Sequence, residues 1–456
     1  MQPKPLTRTW QWSLLAAAML LTFVQTAWIC EDAFITLRTV DFALQGHGLV
    51  WNIGERVQAY THPLWLMLLI PWRYLAGDPY MALITLSLSC SAGAMYVIKL
   101  TRTSWPLHSI VGVASLMWSR AFVDYSSSGL ENPLTHLLLA AFLLTWLRSD
   151  TPKKGLWLTL ICSAMYTNRP DSILLVLPAL GWHFLKTPKV GQAMLGALPA
   201  IGWTLFSLVY YGSSVPNTAL SKVATGLSLW SNAAQAGHYV EWTLHNDPLT
   251  LIIIVMGALS GLSDTRLRPF AVALLVWPFY LIYVGGDYMG GRFLSAATLL
   301  GAVLIAHAGT KRSVAALALA LVPGAVILPY TLFSTANFEN RYIDEAGISD
   351  ERGFYYSKLG LLPVLSNGSW QTHPWFDEGR LARRQPGHPH HRPRRRRLAV
   401  PGRGRAPARM AVTWRRDCPR PWPKTTRAWP TQASTSRTCA PGAIRSTLVG
   451  FRSPAP

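Results

Sequence analysis

Apolar runs separated by short polar stretches succeed one another along this chain from residue 12 to residue 333. They occupy 12–29, 80–98, 107–123, 131–147, 155–168, 172–185, 191–210, 247–261, 269–284, 293–308 and 313–333. An untilted helix needs about 20 apolar residues to cross a bilayer. Several of the runs are shorter, so local thinning of the bilayer or snorkelling of flanking side chains has to make up the difference. One further stretch, 63–75, contains Pro63, Pro71 and Arg73 and ends at Gly77-Asp78-Pro79. Basic residues assign its place. If it lies along the outer surface, five connections fall on the cytoplasmic side: those holding Lys99 and Arg102; Arg148, Lys153 and Lys154; Lys186 and Lys189; Arg266 and Arg268; and Lys311 and Arg312. That is the side on which Lys and Arg accumulate, and a crossing at 63–75 would invert all of them. The pattern predicts an all-α integral membrane protein with about 11 transmembrane helices. Lys4 and Arg8 place the N-terminus inside. No small-residue cleavage site follows the first run, so a retained span is expected rather than a signal peptide.

Composition agrees with that class. Half of the 456 residues are hydrophobic, only 14% are charged, and 20 are Trp, a balance that suits a polytopic membrane protein better than a soluble enzyme. The net charge of +21 misleads about partners. From Arg380 onward there are 19 Lys and Arg against Asp417 alone, so this tail carries +18 and the preceding 379 residues only +3. No nucleic-acid partner is expected on such a basis. The tail, 380–456, is rich in Arg, Pro, Ala, Ser and Thr and has no hydrophobic period. It reads either as a disordered basic segment or as the product of a reading-frame shift near residue 380 in a GC-rich gene. Cys30, Cys90, Cys162, Cys418 and Cys439 show no metal-ligand spacing, and neither a disulfide nor a zinc site is expected.

The same parity gathers the polar loops on the outer side: Glu31 to Tyr60, Asp124 to Pro133, Asn168 to Asp171, Tyr210 to Thr218 and Gly285 to Phe293. Ionisable groups near membrane depth are expensive and are functional candidates for that reason. Irregular backbone there is tolerated where it lines a wet cavity or is buried in protein, so these loops are expected to line one outward-facing cavity. Glu31-Asp32 follows the first apolar run with only Cys30 between. A carboxylate at that level can take a proton from a sugar hydroxyl. Arginines can hold a phosphate through paired, charge-assisted bonds, and aromatic rings can stack on sugar faces. Together these parts suit glycosyl transfer from a lipid-linked phosphosugar through an oxocarbenium-like transition state. The glycine-rich stretch 285–291 lacks the Lys-Ser/Thr of a phosphate loop. No nucleotide-binding fold is visible, so a nucleotide sugar is not the expected donor. No cofactor is expected. Several carboxylates share the outer side, but no Asp-x-Asp occurs and no metal is assigned.

The motifs carry a resemblance. Glu31-Asp32-Ala33-Phe34-Ile35, Gly46-His47-Gly48-Leu49-Val50-Trp51-Asn52, Gly54-Glu55-Arg56-Val57 and Tyr60-Thr61-His62-Pro63-Leu64-Trp65 resemble the first outer loop of C-superfamily (GT-C) membrane glycosyltransferases. Within that superfamily they look like the AftB-type terminal arabinofuranosyltransferases and the ZomB-like proteins. Ser128 to Leu134, Arg169-Pro170-Asp171, Pro216-Asn217-Thr218 and Gly285 to Arg292 follow the same pattern in order. The resemblance covers about residues 30 to 370. It implies a GT-C-like fold in the bacterial inner membrane, a polyprenyl-phosphate sugar donor, and transfer to a glycan or protein acceptor on the periplasmic side. It also implies an essential acid in the first outer loop. The family usually shows Asp-Asp there; this chain has Glu31, which points to Asp32 as the base. Many relatives carry a soluble C-terminal domain that helps bind the acceptor. Here 1–333 reads as the membrane domain, 334–379 as a remnant of the periplasmic region, and 380–456 as the tail.

The candidate residues follow. Asp32 and Glu31 are catalytic candidates. Arg56, Arg292 and Arg38 are candidates for donor phosphate. Asp287, His47, His62, Glu131, Arg169 and Asp171 are candidates for sugar or acceptor. Each has a plainer role: a helix cap for Asp32, snorkelling for Arg56 and Arg292, a turn for Asp287, mutual pairing for Arg169 and Asp171, a helix start for Glu131, and structural roles for Glu31, His47 and His62. Two other classes remain as alternatives, a transporter or flippase for a lipid-linked saccharide and a non-catalytic factor in envelope or flagellar assembly. The transporter reading wants mid-span charges and repeated halves, and neither is found. The topology is open to labelling: a cysteine introduced at Lys153 should resist a membrane-impermeant thiol reagent applied to intact cells, and external labelling there refutes the arrangement.

Overall fold

The structure is a computed structural model, and it describes residues 9–148, 150–216, 228–310, 314, 315, 317, 343–371, 376 and 377. The expected span at 313–333, the Lys311/Arg312 connection, Asn217-Thr218, Lys4, Arg8 and the 380–456 tail lie wholly or mostly outside these residues. Among the described residues the regular elements are all helical. In chain order they are α1 Thr9–Thr26, α2 Glu31–Leu44, α3 Pro63–Ala76, α4 Pro79–Leu100, α5 Leu107–Ala114, α6 Arg120–Asp124, α7 Asn132–Arg148, α8 Lys154–Asn168, α9 Leu177–Lys186, α10 Val190–Tyr211, α11 Leu229–Asn246, α12 Pro248–Leu262, α13 Arg268–Val284, α14 Ser295–Ala308, α15 Glu351–Leu359 and α16 Leu361–Asn367.

Helix boundaries fall where local chemistry puts them. Asp78 caps α4 by accepting from the Met81 N–H at 2.9 Å, and Pro79 occupies the first turn, where its missing N–H is harmless. Gly212 and Gly285 end α10 and α13 in the left-handed conformation. The ambiguous 63–75 stretch is α3. Its Arg73 pairs with Asp41 of α2 at 3.3 Å and donates to the Gly77 carbonyl at 2.5 Å.

Among the described residues, two helices, α4 and α10, are long and apolar enough to cross a membrane. The α11 and α12 pair, bent by 106° at Asp247, makes a third if counted as one broken span. Leu195, Leu198, Ile201, Leu205 and Leu208 of α10 all face outward, as lipid contact requires. Helix α14 is the opposite case, buried on every side from Ser295 to Ala306. A helix apolar all round belongs inside, and α14 forms the centre of the larger core cluster, with Leu116, Leu139, Ile253 and Phe270 among its neighbours.

Backbone contact makes that centre possible. Gly257 of α12 and Gly301 of α14 face each other so closely that a methyl group on Gly257 would collide with Gly301 backbone atoms, and one on Gly301 would meet the Ile253 carbonyl at 2.7 Å. Gly301→Ala should introduce about 1–3 kcal/mol of packing strain, seen as a lower thermal midpoint of the solubilised chain, whereas Gly202→Ala, where a methyl meets nothing within 4 Å, should leave it in place.

Candidate active site

The site is built from a short extended strip. After α1, Ala27, Trp28, Ile29 and Cys30 run through the interior at 0% exposure. Buried backbone polar groups need partners, and this strip has them on two sides. Ile29 N–H donates to the Leu359 carbonyl at 3.1 Å, Leu361 N–H donates to the Ala27 carbonyl at 2.8 Å, and Cys30 N–H donates to the Ser128 carbonyl at 2.9 Å. The Trp28 indole donates to the Asp124 carbonyl at 2.7 Å, and its ring stacks on Tyr355 at 6.2 Å between centroids. Gly129 lies so near (its missing Cβ would sit 3.0 Å from Ala33) with φ of +77° that no side chain fits there.

The strip delivers Glu31 and Asp32 into the first turn of α2, where the helix dipole favours negative charge. Cys30, not Asp32, holds the N-cap position. The Tyr288 hydroxyl donates to Asp32 Oδ2 at 3.0 Å, joining the first loop to the 285–293 loop. That loop is shaped by Asp287, which accepts from the Tyr288 N–H at 3.0 Å and from Arg292 Nε at 2.5 Å. Gly291, at φ +80°, turns the chain into Arg292.

Glu31 hydrogen-bonds Tyr355, and burial together with the nearby charges of Asp32 and Glu351 pushes its carboxyl up to about 8. Glu351 accepts from the Cys30 thiol at 3.7 Å. Burial first, and Asp32 after it, push Glu351 up to about 7, against the lowering effect of its bonds to Ser349 and Cys30.

One turn beyond Asp32, the Thr36 hydroxyl lies 2.7 Å from His62 Nε2, and His62 Nδ1 lies 3.4 Å from Glu131 Oε2. Glu131 Oε1 accepts from Arg169 Nη1 at 3.2 Å, and Arg169 Nε reaches both oxygens of Asp171 at 3.0 and 3.1 Å. Arg169 also lies over the Phe293 ring at 4.8 Å. Eight of the candidates, Glu31, Asp32, His62, Glu131, Arg169, Asp171, Asp287 and Arg292, thus form one connected, largely buried group. Arg169 and Asp171 do pair across Pro170, and Glu131 joins them.

Three candidates stand apart. Arg38 donates to the Trp51 carbonyl at 2.9 Å and to Asn52 Oδ1 at 2.8 Å, and lies over the Trp51 ring, holding the first loop in shape. His47 is exposed, edge-on to Phe42. Arg56 is exposed over the Tyr210 ring at 4.8 Å, at the end of α10. Tyr211 beside it bonds Tyr60 at 2.7 Å and the Leu49 carbonyl at 2.8 Å. Among the described residues no three His, Cys, Asp or Glu side chains are placed to hold a metal ion. Cys30, Cys90 and Cys162 are buried and unpaired.

Sequence reasoning missed Tyr288, Tyr355, Ser349 and Glu351. The signal for Glu351 was Ser349-Asp350-Glu351-Arg352, a helix start in which Asp350 accepts from the Gly353 N–H at 3.0 Å.

Comparison with known proteins agrees with the motifs. The chain is 27% identical over 331 residues to the terminal beta-(1->2)-arabinofuranosyltransferase of Mycobacterium tuberculosis, covering 60% of this chain and 51% of that protein. It is 29% identical over 326 residues to the protein of the same name from Corynebacterium glutamicum, covering 59% of this chain and 46% of that one. The resemblance is to terminal arabinofuranosyltransferases. The chain spans about half the length of the curated relatives it matches. No protein-family model matches it, and neither does any solved structure.

The raised carboxyls predict a pH dependence of stability. Free carboxylates of this type titrate near 4.5, and Glu31 does so near 8 when folded. The folded chain therefore binds more protons across that window, and stability falls as pH rises through it. Thermal midpoints of the solubilised chain should decline from about pH 5 to about pH 8, and Glu31→Gln should flatten the decline. A decline of the same size in the variant contradicts the assignment.

Proposed function

We propose that the chain is a membrane glycosyltransferase that moves a sugar, a pentofuranose such as arabinose, from a polyprenyl phosphate to a hydroxyl of a glycan or protein acceptor. The observation that carries this reading is the Glu31-Asp32 pair at the start of α2, met by Tyr288 and backed by the buried cations Arg292 and Arg169. It stands in a chain similar over 60% of its length to an enzyme named for arabinofuranosyl transfer. A GT-C-like fold of about 11 spans in the bacterial inner membrane, with this group facing the periplasm, fits the distribution of basic residues.

The chemistry follows from the groups present. Asp32 takes the proton of the acceptor hydroxyl. The freed oxygen attacks the anomeric carbon, the bond from that carbon to the phosphate oxygen breaks, and its electron pair leaves on the phosphate. Until that proton has moved, the charge of Asp32 also stabilises the positive charge that develops on the sugar ring. Arg56 sits exposed above an apolar helix face, where a lipid phosphate arrives with its chain in the bilayer. Arg292, already bound to Asp287, is placed to respond to phosphate charge deeper in.

Membranes carrying the chain should transfer sugar from a synthetic polyprenyl-phosphate arabinofuranose, and Asp32→Asn should reduce the rate by about 100-fold or more at equal protein level. An Asn variant as active as the parent overturns the assignment of the base. Indifference of every in vivo readout to the substitution favours an assembly factor.

A further inference from the structure

Glu351 reaches the site from far along the chain, 7% exposed at the first position of α15. Charge fixes it there. Arg120 Nη2 donates to Asp350 Oδ2 at 2.7 Å, Arg352 Nε lies 2.6 Å from Asp124 Oδ1, and Arg120 Nε lies 3.7 Å from Asp124 Oδ2. The residues flanking Glu351 on both sides are therefore tied to α6. The backbone adds to this, since Ser349 N–H donates to the Tyr288 carbonyl at 2.7 Å and Gly290 N–H donates to the Ser349 carbonyl at 2.9 Å.

Held this way, Glu351 faces Cys30, Glu31 and Asp32 from the start of α2, Arg292 and Tyr288 from the 285–293 loop, Tyr125 from the end of α6, and Ser349 and Tyr355 from its own segment. Among the described residues, three carboxyls thus share this corner with the cation Arg292, which is bound to Asp287 at 2.5 Å. Like charges so placed do not ionise independently. Burial and the neighbouring acids both act to keep protons on Glu351 and Glu31 at neutral pH.

We propose that Glu351 is a positioning residue of the site that acts through charge: with its proton on, it leaves Asp32 as the negative group facing the donor, and when ionised it repels the donor phosphate. The chemical role rests on the glycosyltransferase reading; the coupling of the three acids rests on the contact that seats Glu351 on Cys30, directly before Glu31 and Asp32. An anionic donor then binds progressively worse as pH rises through neutrality. Glutamine at 351 imitates the protonated acid and removes part of that loss. A purely structural glutamate would instead show impaired transfer at every pH on replacement.

Two measurements on the full-length purified chain decide the matter. Transfer from synthetic polyprenyl-phosphate arabinofuranose is followed from about pH 5 to about pH 9. The parent should lose kcat/KM on the alkaline side through a rise in KM for the donor. Glu351→Gln should move that limb upward by about one pH unit, and Glu351→Asp should retain the parental limb. An unmoved limb, or equal loss at all pH values in Glu351→Gln, overturns the proposal. Infrared titration of the protonated-carboxyl band reads the coupling without any activity. A component titrating near neutrality should vanish in Glu351→Gln and move to lower pH in Asp32→Asn. If it stays in place in Asp32→Asn the acids are uncoupled and the proposal fails. A parent that transfers no sugar while the infrared coupling holds refutes the glycosyltransferase reading and, with it, the charge role toward the donor.

Discussion

The buried strip from Ala27 to Cys30 is the constraint on which the rest of the site depends. An extended segment in a dry interior is viable only if its amides and carbonyls are bonded to neighbouring backbone. Ser128 provides for one side, and Leu359 and Leu361 provide for the other. Because the strip ends where α2 begins, its fixed direction sets that of Glu31 and Asp32. Trp28 locks the arrangement by using its indole N–H on α6 and its ring face on Tyr355. Three parts of the chain, near residues 30, 128 and 360, are thereby brought into one layer.

The charged groups divide by function within the fold. Arg120, Asp124, Asp350 and Arg352 form alternating pairs that tie α15 to α6. Buried ion pairs of this kind contribute little net stability compared with apolar packing, but losing one partner is severe, so they favour one docking geometry over others. Glu131 and Asp171 share the single guanidinium of Arg169. The acids at the start of α2 have no such direct ion pair among the described residues. Among the described residues they have Arg292 as their neighbouring cation, and it is already engaged by Asp287.

Much of this was legible in the chain. Glu31-Asp32 after an apolar run announced an expensive pair, and the pairing of Arg169 with Asp171 across Pro170 is legible in their spacing, whereas the joining of that pair to Glu131 and His62 is not. The 63–75 stretch, ambiguous in the sequence, forms a helix tied to α2 through Arg73 and Asp41. Other features had no local signal. Tyr288 meets Asp32 across 256 positions and Cys30 meets Glu351 across 321. Such contacts come from tertiary packing, to which periodicity and spacing are blind. Arg38 shows the reverse limit: a cation six residues from Asp32 reads as part of the site, yet its fork is taken up by the Trp51 carbonyl and Asn52 Oδ1.

The docking of α15 and α16 against the strip has a consequence for biosynthesis. The N–H of Ile29 and the carbonyl of Ala27 are made early, whereas Leu359 and Leu361, which satisfy them, leave the ribosome more than three hundred residues later. During that interval the nascent strip has no lasting partner on one side. The acid pair therefore cannot acquire its final surroundings until the last described helices have been translated and docked against it. Assembly of the site is a late event in the life of the chain, although its central residues are among the first to be made.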